Sequence, residues 1–104
     1  MNLSEVKRET VMTLNEFEKH LTAEAYGVIV TVDKPAGYSM GTHQHAFDAC
    51  ALITAGEITL TVEAVSTRYG VGDIFRLAAG TPHLESAGTA GVRYRAGRRG
   101  GEAT

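Results

Sequence analysis

The sequence of 104 residues predicts a mainly β domain, a sandwich or barrel of short strands preceded by one short helix. Residues 57–63 alternate strictly between polar and apolar side chains, the pattern of a strand with one buried face. Further β-rich runs follow Gly27, with turn signals about every eight to twelve residues, as in sandwiches and barrels. Helical periodicity is confined to the segment that ends at this glycine.

The composition is that of an ordinary globular protein of one domain, with 43% hydrophobic and 21% charged residues. A net charge of −2 argues against a nucleic-acid-binding surface. We expect a cytoplasmic protein without a membrane segment. The sequence has one cysteine, no recognisable signal peptide and no run of about 20 apolar residues. A chain of this size also often pairs with a second copy, so we expect a homodimer.

Residues 1–27 are expected to form an arm and a helix that packs on the barrel. Thr13 and Glu16 have the spacing of a capping box, in which each side chain binds the backbone amide of the other residue. Gly27 is the predicted end of the helix. His20 lies beside the apolar stripe and is expected on the surface. The stripe itself consists of Leu14, Phe17 and Leu21.

The rest of the chain predicts eight short strands and a tail. The strands are expected at residues 28–33, 38–45, 49–54, 57–63, 66–69, 74–77, 83–87 and 92–96. Ala55 and Gly56 are read as a turn between the third strand and the fourth. The barrel would then span residues 28–97, and residues 98–104 would form a flexible tail.

Three histidines form a candidate metal site. His43 and His45 are separated by one residue on a predicted strand, so their side chains share a face about 6 to 7 Å apart. His83 begins a later strand. Three neutral imidazoles bind one divalent transition metal and leave positions for water or substrate, and zinc, iron, nickel, copper or manganese all remain open. The alternative is that these are ordinary strand and loop histidines.

Glycines stand at fixed distances from these histidines. Gly37 lies six residues before His43, and Gly56 closes the segment. Residues 72–83 begin with glycine and aspartate and end with proline and histidine. In these two motifs the chain resembles the small single-domain cupins of the cupin 2 conserved-barrel type. The resemblance implies a double-stranded β-helix, or jelly-roll, barrel that holds a metal ion and a small-molecule ligand at His43, His45 and His83.

The sequence departs from the cupin pattern at the acidic ligand. The glutamate of the first motif falls at Ala49, and a methyl group cannot bind metal. Ala78 and Ala87 replace a proline and an asparagine that are frequent in the family. A site without the glutamate carries one more unit of positive charge, which favours an anionic ligand and disfavours hard cations such as manganese.

Two carboxylates are candidates to replace the missing acid. Asp48 precedes Ala49, but strand alternation turns it to the other face. Glu85 shares the face of His83 if the chain stays extended, and it is therefore our candidate catalytic residue. It would act as general base, as metal ligand or as a partner of a ligand. The alternative is a solvated carboxylate at a strand end.

Other side chains leave alternatives open. Cys50 is expected to pack as a small buried residue. Arg76 would hold a substrate carboxylate or form a surface salt bridge. Four aromatic residues would line a pocket or fill the core, namely Phe47, Tyr69, Phe75 and Tyr94.

Three functions are compatible with the sequence, because the cupin fold does not select a reaction. The first is a metal-dependent enzyme of dioxygenase or isomerase type acting on a small anionic or oxygen-rich substrate. The second is a non-catalytic module that binds or senses a small ligand, with a weakened or absent metal site. The third is a protein whose histidines are structural.

Overall fold

The structure is a computed structural model that describes residues 12–101. It confirms a mainly β fold with one short helix. The elements in chain order are α1 (Leu14–Ala23), β1 (Val28–Lys34), β2 (Ser39–His43), β3 (Asp48–Val62), β4 (Val65–Gly70), β5 (Ile74–Leu77) and β6 (His83–Arg99). The predicted N-terminal arm, up to residue 11, and residues 102–104 lie outside the described part of the chain.

The helix begins where the capping box predicts. The Thr13 hydroxyl accepts a hydrogen bond from the Glu16 amide at 3.1 Å, and the Glu16 carboxylate accepts one from the Thr13 amide at 2.9 Å. The prediction that Gly27 ends the helix is wrong, since α1 stops at Ala23. The reason is local: Ala25 adopts a left-handed φ of 64°, which turns the chain before the glycine is reached.

Helix α1 covers the outer face of β3. Phe17 and Leu21 of the helix are fully buried and pack with Tyr26 against Cys50 and Leu52. The intervening residues of β3 point into the barrel, where the main core consists of Ala51, Ile53, Ile58, Leu60, Phe75, Val92, Tyr94 and Ala96. Both faces of this strand segment are therefore buried, and the expected packing role of the cysteine is confirmed.

All strand pairs are antiparallel, and two long strands organise the jelly-roll barrel. The strand order is β1-β6-β3-β4, with β2 also paired to β6 and β5 also paired to β3. Each long strand contains two of the predicted short strands. Gly56 was expected in a turn, but it lies in a bulge of β3 at a φ of 70°, and Gly91 in β6 has a φ of 78°. The chain continues at each glycine because the partner strand continues beside it.

The last strand extends beyond the predicted barrel end at residue 97. Arg98 pairs with Ala49 in the β3–β6 ladder. The Arg99 guanidinium donates to the Glu24 carbonyl oxygen at 2.6 Å and lies 3.3 Å from the Asp48 carboxylate. These two arginines therefore belong to the barrel and not to a flexible tail.

No helix within residues 12–101 has the length and apolar character that a membrane crossing requires. The homodimer and the cytoplasmic location expected from the sequence stay predictions.

Candidate metal centre

Three histidines meet where β2 ends and β6 begins. His43 closes β2 and pairs across the ladder with His83, the first residue of β6. His45 lies two residues beyond β2, and its carbonyl oxygen is held by the Gly80 amide at 2.8 Å. One ligand nitrogen from each ring lies within 4.8 Å of the others. Nitrogens bound to one ion at about 2.1 Å lie at most about 4.2 Å apart, so the nitrogens of the cluster lie close to the spacing that one ion requires.

Backbone carbonyl groups orient two of the rings. His43 Nδ1 lies 2.8 Å from the Gly41 oxygen, and His83 Nδ1 lies 2.9 Å from the Thr81 oxygen. A carbonyl oxygen only accepts hydrogen bonds, so Nδ1 carries the proton in the neutral form of both rings. The lone pair is therefore on Nε2, which faces the cluster. This is the arrangement in which histidine binds metal through Nε2.

The Nε2 atom of His83 is buried without a hydrogen-bond partner among the described residues. Its side chain is 1% exposed, so solvent water does not reach it freely. A buried polar atom left unpaired costs about 1–3 kcal/mol. Since this nitrogen is an acceptor in the neutral ring, it needs a proton donor or a cation. The donor set of the cluster therefore fits a metal ion.

Glu85 lies beside two of the three histidines. Its Oε2 atom lies 3.4 Å from Nε2 of His43 and 3.4 Å from Nε2 of His83. Its Oε1 atom accepts a hydrogen bond of 2.6 Å from the Tyr38 hydroxyl. The strand alternation that placed Glu85 beside the histidines thus describes its position correctly. One proton would serve only one of these Nε2–Oε2 contacts, whereas a divalent cation attracts the carboxylate and both nitrogens together.

Burial and neighbouring charges set the protonation states around the cluster. Burial, followed by the charges of His43 and His83, lowers the pKa of His45. This ring therefore stays neutral near pH 7, with a lone pair available for metal. Burial and the hydrogen bond to Glu85 raise the pKa of Tyr38 far above its usual value. The tyrosine consequently remains a hydrogen-bond donor to the carboxylate.

A cavity of about 50 Å³ adjoins the cluster. His45, His83 and Glu85 form its polar wall. The remaining walls are mostly apolar and consist of Val32, Phe47, Ala49, Phe75, Leu77, Tyr94, Ala96 and Arg98. One water molecule needs about 10–15 Å³, so the cavity has room for several waters or for a small organic ligand.

Sequence comparison gives the family of the chain. A family model described as a cupin domain matches residues 29–93, more than half of the chain. The chain belongs to the cupin family. No curated protein matches it.

Solved structures show the same fold. A protein of unknown function from Rhizobium leguminosarum is 16% identical with a TM-score of 0.66, over 70% of this cupin and 69% of that chain. The DMSP lyase DddQ from Ruegeria pomeroyi is 28% identical with a TM-score of 0.61, over 73% of this cupin and 38% of the lyase. Oxalate decarboxylase from Bacillus subtilis is 21% identical with a TM-score of 0.65, over 73% of this cupin and 22% of the decarboxylase. This cupin thus spans less than half the length of either enzyme.

The structure also shows where the other residues considered for the site lie. Ala49 lines the cavity, as expected for the position of the family glutamate. Asp48 points away and accepts a hydrogen bond from the Ala79 amide at 2.8 Å. Arg76 is exposed outside the cavity, with its guanidinium 3.5 Å from His20 Nε2. Neither Asp48 nor Arg76 is among the residues that line the cavity.

Sequence reasoning missed two residues of this site, Tyr38 and Arg98. Strict alternation along β2 would turn Tyr38 away from His43, but the register shifts between Met40 and His43. This irregularity brings His43 to the same face as Tyr38 and Met40, and Met40 pairs directly with Glu85; the sequence carries no clear signal for the shift. The sequence does contain a pattern that indicates Arg98, because strand alternation places it on the cavity face with Tyr94 and Ala96. The predicted strand ends at residue 96, however, and therefore does not include Arg98.

Proposed function

We propose that this cupin binds one divalent transition metal ion through His43, His45 and His83, with Glu85 as the adjacent carboxylate. The observation that carries the proposal is the buried, unpartnered Nε2 atom of His83, which faces an acceptor oxygen of Glu85. A cation satisfies both atoms at once. Zinc, iron, nickel, copper and manganese stay open as its identity.

Glu85 also supplies the negative charge that Ala49 does not. With one carboxylate beside a divalent ion, the centre has a net charge of +1 and not +2. The Tyr38 hydrogen bond occupies Oε1 and leaves Oε2 directed at the histidines. Glu85 is thereby placed either to bind the metal or to accept a proton from a ligand in the adjoining cavity.

We further propose that the centre belongs to a metal-dependent enzyme acting on a small anionic or oxygen-rich substrate. When bound, the metal would polarise an oxygen atom of such a substrate as a Lewis acid. The cavity limits the substrate to a few non-hydrogen atoms beside the ion. The 28% identity to a DMSP lyase, over 38% of the lyase, supports an enzyme of the lyase kind. The isomerase and dioxygenase types inferred from the sequence stay open. A non-catalytic ligand-binding module with the same centre is the second candidate, favoured by the alanine at the position of the family acid.

Elemental analysis of protein purified without a histidine tag tests the metal centre. We expect about one equivalent of transition metal per chain, and loss of most of it in His43→Ala. His43 is a better test than His83, because its side chain is 20% exposed and its removal disturbs the core less. His20→Ala is the matched control, because this histidine lies on α1 outside the cluster. Circular dichroism establishes that each variant is folded.

Two outcomes would overturn the metal centre. One is wild-type protein with far less than one equivalent of metal, even after incubation with Zn²⁺, Fe²⁺, Ni²⁺, Cu²⁺ or Mn²⁺ and removal of the excess. The other is metal content that is the same in His43→Ala and His20→Ala. Titration of metal-free protein with Co²⁺ adds a spectroscopic measurement, since its visible absorption reports on the ligands and geometry around the ion.

A further inference from the structure

Arg98 differs from the other arginines near it on β6. Arg93, Arg95 and Arg99 each contact a carboxylate, from Asp33, Glu18 and Asp48 respectively. Among the contacts of residues 12–101, the Arg98 guanidinium has neither an ion pair nor a hydrogen bond. It lies 5.0 Å from the centre of the Phe47 ring and forms part of the cavity wall. A half-buried guanidinium without a counter-ion is a site for an anion.

The strand register places Arg98 opposite Ala49. These two residues pair directly in the β3–β6 ladder, so their side chains share the face that lines the cavity. Ala49 contributes only a methyl group, which leaves space in front of the guanidinium. Glu85 forms no ion pair with Arg98 among the contacts of residues 12–101, and its two oxygens contact Tyr38 and the histidines.

The electrostatics of the cavity favour a negatively charged ligand. A divalent ion, the Glu85 carboxylate and the Arg98 guanidinium together carry a charge of +2. The wall away from these groups is apolar and includes Val32, Phe75 and Leu77. The cavity therefore offers positive charge to the anionic group of a ligand and an apolar wall to its hydrocarbon part.

We propose that the cavity binds a small monocarboxylate whose carboxylate group pairs with Arg98 in the space left by Ala49, with a short apolar chain against Phe75 and Leu77. Part of the attraction rests on the proposed metal centre, since the ion supplies the larger positive charge. The contact with Arg98 does not depend on the ion. The cavity volume of about 50 Å³ limits the chain to a few carbon atoms.

Isothermal titration calorimetry with propanoate tests this proposal on the full chain, in zinc-loaded and in metal-free form. Propanamide has nearly the same shape without the charge, and formate has the charge without the chain. We expect propanoate to bind at least about tenfold more tightly than propanamide, because charge-assisted hydrogen bonds to a guanidinium are lost in the amide. It should also bind roughly 15-fold more tightly than formate, since propanoate has two more carbon groups and each buried group contributes about fourfold.

Substitutions then assign the carboxylate contact. Arg98→Gln should weaken propanoate binding by about tenfold or more and leave propanamide binding unchanged. Arg98→Lys should fall between Arg98→Gln and the wild type, because lysine keeps the charge but loses the planar fork. Arg76→Gln is the matched control, since Arg76 is an exposed arginine outside the cavity. Unchanged propanoate binding is expected for this variant.

Measurements on the zinc-loaded and the metal-free protein distinguish failure of this proposal from failure of the proposed metal centre. If the protein does not retain metal but metal-free protein binds propanoate in an Arg98-dependent way, the metal centre is wrong and the carboxylate site stands. If metal is retained and propanoate binding is equal in Arg98→Gln and Arg76→Gln, the carboxylate site is wrong. Failure of both forms of folded wild-type protein to bind propanoate at millimolar concentration also overturns it.

Discussion

The Tyr38 hydroxyl holds Glu85 beside the histidine cluster, and Tyr38→Phe removes this contact while keeping the ring. The hydrogen bond to Oε1 is 2.6 Å long, a length typical of bonds to a charged carboxylate. The Glu85 side chain is only 10% exposed, so water replaces the lost donor poorly. Lys34 lies 4.8 Å from the centre of the tyrosine ring, and this contact survives in phenylalanine.

The expected cost follows from these contacts. A hydrogen bond to a charged group contributes about 1.5–3 kcal/mol, so metal-free Tyr38→Phe should lose about 2 kcal/mol of its free energy of unfolding at pH 7. Groups that orient metal ligands typically affect metal affinity by about 10- to 100-fold. If Glu85 contacts the ion, the dissociation constant for Zn²⁺ should rise by a factor in this range.

Urea unfolding followed by circular dichroism measures the loss of stability, and a competition titration with a zinc chelator measures the affinity. Tyr69→Phe is the control, because the Tyr69 ring packs on Phe75 but its hydroxyl makes none of the hydrogen bonds found in residues 12–101. We expect it to change stability by less than about 0.5 kcal/mol. In a Glu85→Gln background, Tyr38→Phe should cost only about 1 kcal/mol, since the acceptor is then neutral.

Equal stability losses in Tyr38→Phe and Tyr69→Phe, together with unchanged zinc affinity, would refute the reasoning. Such a result would mean that Glu85 does not need the tyrosine to keep its place beside the histidines. A loss of stability that persists undiminished in the Glu85→Gln background would show that Tyr38 acts through contacts other than the carboxylate.

Two further predictions concern the barrel. Gly56→Ala should lower the free energy of unfolding by more than about 2 kcal/mol, because Gly56 has a left-handed φ and the new methyl group would overlap the Gly91 carbonyl. Urea unfolding measures the loss. Gly27→Ala is the control, since the added carbon meets nothing within 4 Å. Burial and then the charge of Glu85 raise the pKa of Tyr94 from 10.0 to about 12. The corresponding stability, roughly 3 kcal/mol, is complete below pH 10 and is lost as the pH rises towards 12. Tyr94→Phe should therefore show a smaller alkaline decline in urea unfolding than the wild type, and an equal decline would contradict the assignment.

Local patterns predicted the elements that local interactions determine. The capping box at Thr13 and the alternation in residues 57–63 depend on neighbours in sequence, and both were correct. The continuity of β3 through Gly56 depends on its partner strand, which follows in sequence only after residue 82. A glycine with a left-handed φ is compatible with a turn and with a bulge, and only the long-range pairing decides between them.

In the site, too, the sequence predicts what local spacing determines and not what long-range pairing determines. The Glu85–His83 pair follows from a spacing of two residues along a strand. His43 and His45 have the same spacing, but the predicted strand 38–45 ends at His43, and a contact with Gly80 holds the backbone of His45. Tyr38 contacts Glu85 across the pairing of β2 with β6, and a register shift beyond Met40 brings His43 to the same face, so this arrangement cannot be derived from spacing. Arg98 is placed by the continuation of β6, and the neighbouring Arg99 is held by contacts with distant parts of the chain.

The acid beside the histidines and the open side of the cavity come from different strands. A carboxylate beside three histidines lowers the net charge of a metal site, and it does so whichever strand it comes from. Here Glu85 on β6 occupies the cluster, while Ala49 on β3 leaves its side of the cavity open. Because Arg98 stands directly opposite Ala49, the open position is also the positively charged one. With Glu85 on β6 and alanine at position 49, negative charge lies beside the histidines, and the side of the cavity next to Arg98 keeps room for the carboxylate of a ligand.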